Sequence, residues 1–163
     1  MRWSDVGEAR CSVARALAVV GDRWTMLLVR EALLGTRRFE DFQANTGASR
    51  ALVAERLRSL VDEGVLDRVR YQERPERFEY VLTEKGVDLW PVIVALLQYG
   101  DRYYAPDGPP VILRHRDCGG EIDSHRYCAK CGQRLSARDS IAVPGFASTR
   151  DRGGSAAPAD AAR

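Results

Sequence analysis

Residues 39–63 carry two short helical patterns separated by a glycine turn, and this pairing constrains the fold more than any other stretch of the chain. Phe39 to Thr46 reads as a short helix closed by Gly47. Ser49, a strong N-cap, opens a second helix that continues to Glu63, where Gly64 takes the C-terminal position. In that second helix Val53, Leu57, Leu60 and Val61 form one inward stripe. At about 100° per residue, Ala51, Ala54, Glu55 and Arg58 point away from it. Small residues let a backbone approach a major groove closely, while long polar ones reach base edges. The pair therefore has the outline of a helix-turn-helix. Ser49 and Arg50 stand at the N-terminus, where unpaired N–H groups and the dipole favour phosphate. Arg56 is expected on the flank, within reach of a phosphate. In isolation the same face would be the solvated side of an ordinary amphipathic helix, so its neighbours decide.

Before it, Ser12 to Val20 reads as a helix with Val13, Leu17 and Val20 on one stripe, ended by Gly21. A second, Trp24 to Leu34, is apolar almost all round through Met26, Leu27, Leu28, Val29, Ala32 and Leu33, so it is expected to be buried. After it, the period changes. Residues 65–71 (VLDRVRY) and 78–82 (FEYVL) are rich in β-branched and aromatic residues, with the charged loop QERPER between them. Arg74 and Arg77, beside Glu73 and Glu76, would alone be a mixed-charge turn. Next to a helix-turn-helix they are a candidate wing that places arginine on the DNA backbone or in the minor groove. Thr83 then caps a helix expected to run from Glu84 to about Tyr104, kinked at Pro91. Its apolar residues cover more than one face, which points to burial against a second subunit.

Residues 11–104 resemble the HxlR family of winged-helix transcriptional regulators, relatives of the MarR group. The blocks that carry the likeness are CSVARALAVVGDRWTMLLVREALLGTRRFEDF, SRALVAERLRSLVDEGVLDR and FEYVLTEKGVDLWPVIVALLQYG. The resemblance implies a mainly α fold with a small β-ribbon and a homodimer joined by N- and C-terminal helices. It also implies two recognition helices on a pseudo-palindromic operator of double-stranded DNA. By position, Ser49, Arg50 and the exposed face of the second helix are the groove readers, and Arg74 and Arg77 the wing candidates. Family members usually have proline after the N-terminal cysteine; here Ser12 stands there. In some members that cysteine senses oxidants or electrophiles. Cys11 matches it in position, with Arg10 and Arg15 nearby to favour a thiolate. The alternative is a small buried apolar residue near the dimer interface.

The four cysteines divide into Cys11 alone and Cys118, Cys128 and Cys131 together. Cys128-Ala-Lys-Cys131-Gly132 has the two-residue gap of a zinc knuckle, and His115 precedes Cys118 at the same gap. His115, Cys118, Cys128 and Cys131 are thus the expected ligands of a structural zinc ion, with His125 as the competing fourth. The alternative is a redox-labile or degenerate tail. Residues 113–140 are too few for a hydrophobic core of their own, and a metal would supply the missing folding free energy. The expected plan is an arm at 1–10, the winged helix at 11–104, a Pro/Gly linker at 105–112, the zinc-ribbon-like segment at 113–140 and a disordered tail at 141–163.

Composition narrows the function. Hydrophobic residues at 45% and charged residues at 29% exclude wholesale disorder. A net charge of +2 is too small to assign nucleic acid, so any basic surface must be local. The positive charge is nearly all arginine; Lys85 and Lys130 are the only lysines. Codon bias accounts for an excess of this kind, although arginine also suits phosphate and base edges. No apolar run approaches the roughly 18 residues of a membrane span. The stretch Ser12 to Gly21, interrupted by Arg15 and preceded by Glu8 and Arg10, is followed by no small-residue cleavage pattern and does not read as a signal peptide, so a cytoplasmic, reduced location is expected. No nucleophile–base pair, phosphate loop or paired carboxylate suggests an enzyme. The preferred function is a sequence-specific DNA-binding repressor with an oxidant or small-molecule effector. The alternative is a winged-helix/zinc-ribbon module that binds another protein.

Overall fold

The structure is a computed structural model that describes residues 10–145. The chain divides into two compact units, residues 1–88 and 89–163.

The first unit contains α1 (Ser12–Val20), α2 (Arg23–Leu33), α3 (Phe39–Thr46), α4 (Arg50–Asp62), β1 (Leu66–Glu73), β2 (Glu76–Leu82) and α5 (Glu84–Val87). Asp22 starts α2, and its Oδ1 accepts from the N–H groups of Trp24 (3.0 Å) and Thr25 (3.2 Å). Replacing it by alanine leaves two donors of the first turn without that acceptor. We expect Asp22→Ala to cost about 1 kcal/mol in urea denaturation. Gly47 ends α3 at φ +68°, a left-handed conformation that turns the chain toward Ser49 without the Cβ penalty. Ser49 caps α4 by accepting from Leu52 N–H.

The core of this unit draws Leu28 and Val29 from α2, Phe42 from α3, and Val53, Leu57 and Leu60 from α4. Val65 and Leu66 complete it, and none of these side chains is more than 1% exposed. The α4 stripe is therefore inward, with Val61 half-buried at its edge. Two expectations are corrected. First, α2 is not simply apolar: Glu31 is buried, and its carboxylate accepts from Arg30, Thr36 and Asn45. These partners make a buried charge tolerable and tie α2 to α3. Second, the charged loop is shorter than its six residues 72–77. The antiparallel strands pair as far as Glu73 and Glu76, leaving only Arg74 and Pro75, joined by a cis peptide, at the tip. Arg70 lies 3.3 Å from Glu76 and 3.9 Å from Glu73, which offsets their mutual repulsion. The hairpin is tied to the loop before α3 by Tyr80 N–H, which donates to Arg37 O at 2.8 Å.

The expected helix from Glu84 to Tyr104 is two helices, α5 and then α6 (Trp90–Tyr104). Pro91 has no N–H and its ring crowds the preceding turn, so it breaks the run instead of kinking it and sits in the first turn of α6.

The second unit holds α6, β3 (Val111–His115) and β4 (Ser140–Pro144), with the two strands antiparallel and Val111 opposite Pro144. This revises two boundaries. Residues 111–112, expected in the linker, belong to β3. Residues 141–144, expected in the disordered tail, form β4, where Ile141 and Val143 find strand partners in Arg114 and Ile112. The rest of that tail from 146, and residues 1–9 of the arm, lie outside the described residues. Gln98 of α6 donates from Nε2 to the carbonyls of Asp123 (2.8 Å) and Ile122 (3.4 Å). Among the described residues no helix is long and apolar enough to cross a membrane.

Candidate nucleic-acid interface and metal centre

Ala51, Glu55 and Arg58 are exposed on α4 and Ala54 is half-buried, so the face opposite the core stripe is available. Ser49 and Arg50 are exposed at its N-terminus. Arg50 is not loose: its guanidinium lies 4.7 Å from the Phe39 ring centroid. Arg74 and Arg77 are exposed at and beside the hairpin tip. Arg56 sits on the flank of α4, where its Nε lies 3.3 Å from Asp22 Oδ1 at the start of α2 and its Nη1 3.5 Å from Glu55, and its side chain is about 30% exposed.

An open cleft of about 660 Å³ lies between the start of α3, the start of α4 and the hairpin. It brings Arg50 and Arg77 together with Arg38 and Arg68, two residues that the reading of helix face and loop tip omitted. Arg38 lies 5.2 Å from the Tyr71 ring and 3.6 Å from Glu79. Arg68 lies 3.5 Å from the Phe78 ring centroid. The signal for Arg68 was present in the alternation of β1, since period two sets Arg68 and Arg70 on one face.

In the second unit, His115 at the end of β3 meets Cys118, Cys128 and Cys131. One donor atom from each of the four lies within 4.8 Å of all the others. His115 Nδ1 is 3.2 Å from Cys118 Sγ and 3.3 Å from Cys131 Sγ, and Cys118 Sγ is 3.4 Å from Cys128 Sγ. All three are free thiols. His115 and Cys128 are each 2% exposed. Gly120 is required here because a Cβ would collide with Cys128 Sγ and the Lys130 side chain. His115 Nε2 is buried without a hydrogen-bond partner, 3.6 Å from Asp117 Oδ2. His125 lies elsewhere, exposed beside Ser124, in a turn that Asp123 Oδ1 holds by accepting from His125 N–H and Tyr127 N–H.

The thiols do not titrate alike. At Cys128 burial disfavours the thiolate, but N–H groups of Cys131 and Lys130 and the neighbouring thiols outweigh it and lower the pKa to about 6. At Cys118 the Gly120 N–H favours the thiolate, yet burial and the other two cysteines push the pKa up. A cation among these sulfurs would relieve both burial and mutual repulsion. Three soft sulfurs and one imidazole are a zinc-type donor set, and tetrahedral bonds of about 2.3 Å suit a cluster of this size. Cys11 stands apart, exposed at the N-cap of α1.

The family model for HxlR-like helix-turn-helix proteins matches residues 19–108. An uncharacterized HTH-type transcriptional regulator of Mycobacterium tuberculosis is 49% identical over 135 residues, covering 82% of this chain and 85% of the relative. The crystal structure of PA1607, a candidate transcription factor, aligns with a TM-score of 0.68 at 42% identity, covering 83% of this chain and 95% of that one. The oxidized form of the redox regulator HypR aligns with a TM-score of 0.53 at 29% identity, covering 56% of this chain and 96% of that one. The family and the first two relatives concern transcription regulation, not enzymatic activity. On both the matched span and the long, half-identical alignment, the chain belongs to the HxlR-like helix-turn-helix family.

Proposed function

We propose that this chain is a DNA-binding transcription regulator that acts as a homodimeric repressor, with a structural zinc ion in its second unit. The observation that carries the DNA reading is the exposed, Ser49-capped face of α4 standing across an arginine-lined cleft from the hairpin. The homodimer reading rests on exposed apolar side chains. Val13 and Leu17 lie on α1, and Val92, Leu96, Tyr99, Tyr103 and Tyr104 on α6; together they are seven of the ten large exposed hydrophobics among the described residues. Two such chains would present two α4 helices to half-sites about one helical turn apart. Repression is the preferred sign because a dimer lying across a promoter needs no activating surface. The cytoplasm is the fitting compartment, since it holds the DNA and keeps thiols reduced.

The zinc reading assigns His115 Nδ1, Cys118, Cys128 and Cys131 as ligands. With Nδ1 as the ligand atom, His115 Nε2–H would donate toward the Asp117 carboxylate 3.6 Å away, which would fix the ring for ligation. The ion would supply folding free energy to a segment with little core. An oxidant response is assigned to Cys11, the exposed thiol outside the cluster. A protein partner would draw on the acidic residues beside the hairpin tip, but Glu73 and Glu76 are both paired with Arg70, and no observation favours that alternative.

Electrophoretic mobility shift with the gene's own upstream DNA tests the proposal. Arg50→Ala and Arg58→Ala should each weaken specific binding roughly 5- to 150-fold, the range for loss of one base or phosphate contact. Wild-type binding should also fall steeply with salt. A protein that binds no fragment of its genome, or binds equally after both substitutions, is not this regulator.

A further inference from the structure

The residues assigned so far lie on the face of α4 and at the hairpin tip, and the floor between them has no role. Resting on the DNA-binding reading, we propose that Arg68 joins Arg50 and Arg77 in a phosphate clamp that holds the backbone of one DNA strand in this cleft. Three features point to a ligand with phosphodiester charge. First, among the described residues Arg50, Arg68 and Arg77 have no carboxylate within 4.0 Å, whereas Arg38 is paired with Glu79 and Arg70 with Glu73 and Glu76. The cleft thus holds three guanidinium groups without a counter-ion. Second, Arg50 and Arg68 are held over aromatic faces, at 4.7 Å from Phe39 and 3.5 Å from Phe78. Stacking restricts each side chain and leaves the in-plane N–H edge free, so little freedom is lost when an anion binds. Third, the acidic residues on the cleft wall are compensated. Glu76 faces Arg70, and Glu40 and Asp41 lie in the first turn of α3, where the helix dipole favours negative charge. The clamp is sequence-independent. It would set the register of the duplex against α4, while base edges are read elsewhere.

The test compares wild type, Arg68→Gln and Arg68→Lys on the upstream DNA fragment and on an unrelated duplex, across a range of salt concentrations. Glutamine keeps a planar group over Phe78 and removes the charge; lysine restores the charge. The expected result is that Arg68→Gln weakens binding to both duplexes by the same factor. It should reduce the slope of log affinity against log salt by about 1, and Arg68→Lys should restore that slope. Circular dichroism melts confirm that all three proteins are folded. If wild type binds and folded Arg68→Gln keeps the wild-type slope and affinity, the clamp is wrong while the regulator reading stands. If Arg68→Gln weakens only the upstream fragment, Arg68 reads sequence and the clamp is also wrong. If wild type binds neither duplex, the DNA reading itself fails.

Discussion

Cys128→Ser is expected to abolish metal binding and to unfold the segment that surrounds the site. Cys128 is the buried thiol of the cluster, in contact with Cys118. Its own N–H donates to Gln133 O at 2.8 Å, and Ile122 bridges to it. Around it, among described residues 111–145, the only other buried side chains of any size are His115 and Leu135. That is too little apolar surface to offset the ordering of such a segment. Structural zinc supplies on the order of 10 kcal/mol or more in comparably small sites, and a serine hydroxyl does not replace a thiolate toward a soft cation. Native mass spectrometry should find one metal per wild-type chain and none in the variant. Limited proteolysis should cut the variant within 111–145 while the first unit stays intact. A wild-type chain stripped of metal that resists the protease as well as the loaded one would show that the site is not structural.

The second large effect concerns α6. On the homodimer proposal, Val92→Glu combined with Leu96→Glu should leave a monomer where wild type is a dimer and lower operator affinity by at least about 100-fold, because two linked half-site contacts become independent. The two side chains are 45% and 52% exposed in the protomer, so the substitutions remove little intrachain packing and the helix should persist. Sedimentation velocity reads the mass, and a mobility shift reads the affinity. A variant that stays dimeric, or a monomer that binds the operator as tightly as wild type, would overturn the assignment of this face.

Most of the helical framework was legible because local chemistry punctuates it. Gly21, Gly47, Ser49 and Gly64 mark helix ends that depend on the residue itself, and the α4 stripe follows from spacing alone. What escaped depends on contacts between distant segments. Glu31 looks like a misplaced charge until Thr36 and Asn45 arrive beside it. Arg56 looks free until α2 is set against α4. Ile141 and Val143 form too short a pattern to announce a strand without β3 as partner. At the cluster, the repeated two-residue gap singled out the four residues that the fold gathers, whereas the burial of His115 and the need for glycine at 120 appear only in three dimensions.

Asp22 closes the first turn of α2 and faces Arg56 with the same oxygen. A half-exposed ion pair of this kind adds only about 0.2–1 kcal/mol to stability, so its weight lies in direction instead of strength. Beside the buried Val53, Leu57 and Leu60 stripe, that carboxylate ties the flank of α4 to the origin of its neighbour. The outer face of the helix is therefore held in one orientation, and less rotational freedom would be left to surrender on any contact.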